Sequence, residues 1–224
     1  MPLFVWWGRH PDCRANFDDL FVAKNTHVLN SPNQYRFLRV RLFEGKGRSR
    51  PTSAMLHSGH YKRFTTKPGL HGAAVSARLA SLRLRDDLAI HVEAFCNEVP
   101  VHTMIGLHIR RTDFAICRRG WSGPKNDARV CAHIDETLEQ TPDARFLLCA
   151  DNQHTVTWLQ ERYGPERIVW RNITMLTKRK RHSTPQEAAI DLFILARTKR
   201  IVGTTHSSFS SFAAHLSNLD LIRV

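Results

Sequence analysis

An apolar run that stops at two adjacent arginines constrains the fold of this chain more than any other stretch. Met104 to Ile109 is a β-leaning run, and Arg110 and Arg111 follow it directly. A buried parallel strand has this pattern when it delivers charged side chains to the carboxyl edge of a sheet. Ligands of open α/β sheets bind at that edge. Two arginines there suit a diphosphate, although an arginine pair by itself can also simply close a strand at the surface.

Strand-like and helical patterns alternate along the chain after about residue 100, with short connections between them. Such alternation predicts βαβ units on a parallel sheet. One helix has a clear start signal, since Ser183 or Thr184 can cap it, Pro185 fits its first turn and Glu187 suits a capping box. The patterns predict strands at 103–109, 145–150, 167–170, 200–203 and 219–223, and helices at 129–140, 153–163, 185–197 and 207–217.

Regular patterns are sparser before Pro100, which we take as the boundary between two domains. Residues 1–100 would form an N-terminal lobe and residues 101–224 a C-terminal lobe. The N-terminal patterns predict strands at 2–7 and 35–43, a short amphipathic turn at 17–21, and helical segments at 73–84 and 84–95.

The charge of the chain favours anionic partners. The 224 residues carry a net charge of +13, with a pI of about 10.2. Nucleic acid is not the expected partner, because the sequence has no aromatic RNA-binding pattern, no zinc spacing and no obvious recognition helix. His57 and His60 have a spacing that suits a metal, but no third ligand is evident, so no metal site is predicted.

Neither a membrane span nor a secretory leader is evident in the sequence. No apolar run is long enough to cross a bilayer, so no transmembrane segment is predicted. The first residues lack a basic region and a small-residue cleavage site. A cytoplasmic location is therefore expected.

Two further stretches, together with the arginine motif, resemble the sequence motifs of one protein family. Phe146–Asn152 is a strand-like run that ends in an Asp-Asn pair, and Asp191–Ser210 holds a helix, a strand and a loop rich in hydroxyl residues. With His108–Asp113, in this order, they resemble the peptide motifs of the α1,6/α1,2-fucosyltransferases, including the rhizobial nodulation enzymes, and more loosely those of protein O-fucosyltransferases. The resemblance runs from about Leu82 to the end of the chain.

The resemblance implies a two-lobed, GT-B-like α/β fold. Its C-terminal donor lobe would be Rossmann-like and bind a GDP-sugar. Its N-terminal lobe would lie on the acceptor side. This lobe would be either shortened or incomplete, because the Gly-x-Gly-Asn-Arg-like loop of the family is missing from this sequence.

Catalytic roles follow for the two arginines. By resemblance, Arg111 would be the principal phosphate contact and Arg110 its support. Negative charge grows on the departing nucleotide during sugar transfer, and a fixed cation stabilises that transition state. His108 is two residues before Arg110 on the same strand face, so it would orient Arg110, contact the nucleotide, or serve as a structural histidine.

Donor-binding roles are expected for two carboxylates. Asp151 would contact the nucleoside side of the donor by resemblance, or else cap the next helix together with Asn152. Asp191 is the one carboxylate in an otherwise apolar helical run, which is costly unless it has a partner. The resemblance suggests that this partner is guanine, whose N1–H and amine are two donors. The alternative is a buried ion pair with an Arg or His.

The loop after the strand predicted at 200–203 is expected to complete the donor site. Thr205, Ser207, Ser208 and Phe209 lie where that strand ends and the next helix begins. Hydroxyl groups and free amides at a helix N-terminus bind anions, so this loop would share a diphosphate with the arginines. The alternative is that a serine only caps the helix.

The resemblance implies an inverting fucosyltransferase that uses GDP-fucose as donor substrate and a glycan or glycoconjugate as acceptor, without a metal or other cofactor. One departure opens an alternative. Core α1,6-fucosyltransferases have a glutamate base five residues after the Asp of the first motif, where this chain has Arg118. A degenerate nucleotide-sugar-binding module without turnover is therefore a second hypothesis, and a basic nucleic-acid-binding protein ranks last.

Overall fold

The fold was analysed in a computed structural model of the chain. The structure describes residues 3–6, 15, 17–23, 26–29, 82–111, 124–173, 184–205 and 207–224. The predicted strand at 35–43, most of the helical segment predicted at 73–84, and Arg118 all lie outside these residues.

Among the described residues before residue 100, the structure has four short strands. β1 (Leu3–Trp6) pairs in parallel with β3 (Thr26–Leu29), and β2 (Phe21–Ala23) pairs antiparallel with β4 (Leu82–Leu84). The helical assignment was wrong at β4. These three residues pair with β2 as a strand. Their leucines lie on one face and Arg83 on the other, which is the two-residue period of a strand.

The C-terminal part of the chain forms a five-stranded parallel sheet. Its spatial order is β7-β6-β5-β8-β9, so the chain moves outward from β5 to β7, returns to the other side of β5, and continues to β9. A topological switch point therefore lies between β5 and β8, where ligands of open α/β sheets bind. The strands are β5 (Ile105–Ile109), β6 (Phe146–Ala150), β7 (Ile168–Trp170), β8 (Arg200–Gly203) and β9 (Leu221–Arg223).

Five α-helices lie in the part of the chain that the structure describes. They are α1 (Asp86–Glu98), α2 (Pro124–Gln140), α3 (Gln153–Tyr163), α4 (Pro185–Leu195) and α5 (Ser208–Ser217). Two of them begin at side-chain caps. Thr184 accepts a hydrogen bond from the amide of Glu187 at 3.1 Å, and Asn152 accepts one from the amide of Thr155 at 2.9 Å. The cap predicted at Ser183 or Thr184 is therefore Thr184, and Asn152 rather than Asp151 caps α3.

The two faces of the sheet are covered by different helices. Alternate β5 residues, Ile105, Leu107 and Ile109, pack with α2 and α3 side chains in one core cluster. Gly106 points to the other face, where an added Cβ would lie 2.5 Å from Leu195 Cδ1 of α4. Another core cluster joins α4 and α5 to Ile201 of β8 on that same face. Both faces of β5 are thus covered, which explains why all five of its residues are buried.

The predicted α/β fold class is confirmed. Among the described residues, a five-stranded parallel, Rossmann-like sheet follows residue 100 and two-stranded sheets precede it. One hydrophobic cluster crosses the proposed boundary, since Phe17 and Val92 pack with Ile190 of α4. The division at Pro100 stays a prediction. Among the described helices, none has the length and apolar character needed to cross a membrane.

Candidate active site at the carboxyl edge of the sheet

Thr204 ties the carboxyl ends of β5 and β8 together. Its amide donates to the carbonyl oxygen of His108 at 3.0 Å. Its hydroxyl donates to the same oxygen at 3.2 Å and accepts from the amide of Arg110 at 3.2 Å. Thr204 is 6% exposed, so these bonds are shielded from water. The predicted arginine motif and the hydroxyl-rich loop therefore meet at the switch point of the sheet.

His108 joins the same two segments through its side chain. Its Nδ1 lies 3.4 Å from the hydroxyl oxygen of Ser207, and its ring stacks on Phe209 with 4.6 Å between ring centroids. His108 is 6% exposed and Ser207 is 1% exposed. These contacts hold the start of α5 against β5, which is a positioning role. They leave the predicted nucleotide contact of His108 untested.

The start of α5 is closely packed on β8. A Cβ added to Gly203 would lie 2.5 Å from both Cβ and Oγ of Ser210, so only glycine permits this approach. Among the described residues, no amide of α5 receives a cap hydrogen bond from the Ser207 side chain. The hydroxyl of Ser207 faces His108 instead, which leaves the first-turn amides of the helix, beginning at Ser208, as donors at the sheet edge.

Thr205 binds the last residue of the sequence. Its amide and its hydroxyl donate to the carbonyl oxygen of Val224 at 2.9 and 2.8 Å. Because both groups are engaged, the described role of Thr205 is to join the loop to the end of β9. A contact of Thr205 with a donor substrate stays a prediction.

Arg111 contacts three other described residues. Its Nη2 lies 2.5 Å from Oδ1 of Asp127 in the first turn of α2. Its guanidinium carbon lies 4.9 Å from the ring centroid of Trp158 in α3. Its amide donates to both carboxylate oxygens of Asp151, each at 3.0 Å. The predicted phosphate contact of Arg111 stays untested, and its described contacts are all to protein groups.

Asp151 follows β6 and acts on the end of β5. Besides the Arg111 amide, its Oδ1 accepts a hydrogen bond from Nδ2 of Asn152 at 2.9 Å. The carboxylate therefore lies at the carboxyl edge, as predicted. Its described contacts hold the backbone after β5, and a nucleoside contact remains a prediction.

Strand alternation predicts that the two arginines after β5 lie on different faces of the sheet. Ile109 packs on the α2 and α3 face, and Arg111, two residues later, reaches Asp127 and Trp158 on that same face. His108 lies on the α5 face, so the alternation of the strand directs Arg110 to that side. Arg110, rather than Arg111, is therefore directed to the face on which α5 begins.

Asp191 is paired with an arginine. Its Oδ1 lies 2.8 Å from Nη2 of Arg171, which follows β7, and the Arg171 Nε donates to the same oxygen at 2.8 Å. Glu187, one helical turn earlier, places its Oε2 2.5 Å from the same Nη2. Among the described residues, none donates a hydrogen bond to the second oxygen of Asp191. The ion pair that the sequence left open is thus present, and the guanine contact stays a prediction.

Burial raises the pKa of Asp191 to about 6, from 3.8. Arg171 acts in the opposite direction, but Glu187 adds a second negative charge to the same guanidinium. For Arg171 itself, burial favours the neutral form, yet the two carboxylates outweigh burial and its pKa is raised. One cation facing two carboxylates leaves an excess negative charge next to the sheet edge.

A raised carboxyl pKa predicts a specific pH dependence of stability. Below about pH 4, Asp191 is protonated in both the folded and the unfolded chain; as the pH rises toward 6, the unfolded chain releases its proton first. The free energy of unfolding therefore falls over this window. Between pH 4 and 7, we expect the free energy of unfolding of wild type to fall by roughly 1–3 kcal/mol more than that of Asp191→Asn. Urea denaturation of both proteins measures this difference. A pH-independent difference between the two proteins would contradict the raised pKa.

Four residues of this site were not identified from the sequence: Thr204, Arg171, Asp127 and Trp158. Arg171 and Thr204 carry a usable signal, because each is a polar residue directly after a buried strand. Asp127 and Trp158 lie within helices and carry no such signal. Among the described residues, no group of three or more His, Cys, Asp or Glu side chains is placed to hold a metal ion.

No protein-family model matches the sequence, and no curated protein matches it. Three solved structures similar to the fold are NodZ α-1,6-fucosyltransferase co-crystallised with GDP, fucosyltransferase NodZ from Bradyrhizobium, and POFUT1 in complex with GDP-fucose. Their identities are 19%, 18% and 14%, and their TM-scores are 0.44, 0.43 and 0.49. The matches cover 59%, 59% and 67% of this chain.

The chain spans less than half the length of these proteins, with coverage of 42%, 42% and 49% of theirs. They belong to the superfamily that the sequence motifs resemble.

Proposed function

We propose that this protein transfers fucose from GDP-fucose to a glycan or glycoconjugate acceptor, with inversion and without a required metal. The observation that supports this most is the joining of β5 to the β8 loop by Thr204. It holds the backbone of Arg110 close to the loop that opens α5, at the switch point of the sheet. Arginine forks and helix N-termini both bind phosphate oxygens. The motif resemblance adds fucose and inversion to this anion site.

The diphosphate would lie between Arg110 and the first turn of α5. Backbone amides of Ser208 and Phe209 open that helix, and the strand alternation directs Arg110 to the same face. As the sugar leaves, the β-phosphate gains negative charge, which the guanidinium and the helix N-terminus stabilise. Arg110 thus becomes the phosphate contact and Arg111 its neighbour in support, the reverse of the order that the sequence predicts.

Asp191 would recognise the base of the nucleotide. Its Oδ1 is occupied by Arg171, and its other oxygen can accept an N–H from guanine. A ligand that brings donors to this carboxylate compensates the excess negative charge of the Arg171, Glu187 and Asp191 group. Asp151 would act through the backbone of Arg111.

A nucleotide panel tests the donor assignment. A ligand that binds the folded chain raises its melting temperature. We expect GDP, GDP-fucose and GDP-mannose to stabilise the protein more than UDP or ADP at equal concentration. Equal stabilisation by ADP and UDP would contradict the guanine assignment.

A transfer assay tests the reaction itself. The protein is incubated with GDP-fucose and a mixture of glycan acceptors, and products are identified by their added fucose mass together with the release of GDP. The expected result is acceptor-dependent GDP release. Binding of GDP without transfer would support the alternative of a nucleotide-sugar-binding module, which Arg118 at the position of the glutamate base favours.

A further inference from the structure

Asp127 and Trp158 both hold the guanidinium of Arg111, and they come from separate helices on one face of the sheet. The carboxylate lies 2.5 Å from Nη2, and the indole ring centroid lies 4.9 Å from the guanidinium carbon. The Arg111 side chain is 21% exposed and that of Asp127 is 30% exposed. A partly buried ion pair of this kind is less screened by water and salt than a surface pair.

The backbone of Arg111 is fixed as well, because both oxygens of Asp151 accept its amide hydrogen at 3.0 Å. The preceding amide, that of Arg110, is bound to the Thr204 hydroxyl at 3.2 Å. The direction in which the chain leaves β5 is therefore set from both sides of the strand. Asp151 and Thr204 thus fix the backbone at Arg110 and Arg111, and Asp127 and Trp158 fix the side chain of Arg111.

We propose that Asp127 and Trp158 are positioning residues that hold Arg111 as a brace, so that Arg110 stays directed at the diphosphate. This inference rests on the proposed function only for the identity of the ligand. Loss of either contact would let the strand end move, and a misplacement of about 1 Å at a reacting centre can reduce activity about 100-fold. The brace would therefore act on affinity and rate without touching the substrate.

A competing role for Asp127 makes the opposite prediction. If Arg111 were itself the phosphate contact, Asp127 would be a counter-ion that the diphosphate has to displace, and its neutralisation would raise affinity. Two observations favour the brace. The Trp158 stack does not depend on a counter-charge, and both oxygens of Asp151 accept the amide hydrogen of Arg111, which holds its backbone at the same edge of the sheet.

GDP titrations of matched variants separate the two roles. We expect Asp127→Asn and Trp158→Leu each to weaken GDP binding about 5- to 10-fold, and Asp127→Glu to recover part of the loss. In an Arg111→Ala background, Asp127→Asn should cause no further loss, because the contact it removes is already gone. Tighter binding by Asp127→Asn, or the same loss with and without Arg111, would overturn the proposal.

A second measurement keeps the brace testable if the wild-type protein does not bind GDP. The Nε–H of Arg111 is followed by nitrogen-15 NMR in the ligand-free protein. A brace predicts a rigid side chain in wild type and clearly lower order in Asp127→Asn and Trp158→Leu, with melting temperatures confirming that the variants are folded. A mobile Arg111 side chain in wild type would overturn the brace, whereas failure of GDP to bind would overturn only the proposed function.

Discussion

Arg110→Ala is expected to weaken GDP binding by roughly 10- to 100-fold while leaving the fold intact. The estimate follows from removing a hydrogen bond to a charged diphosphate, which typically contributes about 1.5–3 kcal/mol. The fold should survive because the amide of Arg110, which binds Thr204, remains in the variant. Isothermal titration with GDP measures the affinity, and thermal denaturation reports the fold.

Arg145→Ala is the matched control for this substitution. Arg145 precedes β6 at the opposite, amino edge of the sheet, where its side chain donates to the carbonyl oxygen of Glu166 at 3.0 Å. Its loss changes the net charge by the same amount but should alter GDP affinity less than about twofold. If the two variants bound GDP equally well, the effect of Arg110 would be one of net charge or would be absent.

Arg171→Leu is expected to destabilise the protein by about 3–5 kcal/mol, because it leaves a buried carboxylate without its cation. The Arg171 side chain is 15% exposed and faces both Asp191 and Glu187. The double variant Arg171→Leu/Asp191→Asn should recover part of the loss, since it removes the buried charge as well. Urea denaturation of the purified variants measures the free energies of unfolding.

An exposed arginine pair provides the contrast. Arg197 forms two hydrogen bonds with the carboxylate of Glu93, but its side chain is 39% exposed and that of Glu93 is 57% exposed. Arg197→Leu should therefore reduce stability by no more than about 1 kcal/mol. A loss for Arg171→Leu as small as this one, or a double variant no more stable than Arg171→Leu alone, would show that the buried triad does not hold this part of the fold.

The parallel sheet could be predicted from sequence because its central strands are buried on both faces. β6 is an uninterrupted apolar run and β5 is apolar except for His108, and the polar residues that follow both strands mark the carboxyl edge. α2 begins at Pro124, whereas the predicted helix began at residue 129. The first turn was missed because it is polar and has no apolar stripe. β4 was assigned to a helix, since three residues rich in leucine have no periodicity that distinguishes strand from helix.

The candidate site was predictable in its location and less so in its internal contacts. The lone carboxylate of Asp191 indicated that a partner must exist, but the choice between Arg171 and a ligand depends on where β7 ends. The spacing of His108 and Arg110 predicted that they share a face, whereas the engagement of Arg111 by Asp127 requires the packing of α2 on the sheet. Pairings between distant segments follow from tertiary structure and leave little trace in local sequence.

The most direct test of the central claim is an amide NMR titration with GDP. Binding at the switch point predicts the largest shifts at Arg110, Arg111 and the first turn of α5, with small changes at Arg145 and Lys199 on the amino edge of the sheet. Saturable shifts confined to the carboxyl edge would establish that the arginines and the helix start share one diphosphate. Shifts centred elsewhere, with the ends of β5 and β8 unaffected, would contradict the account.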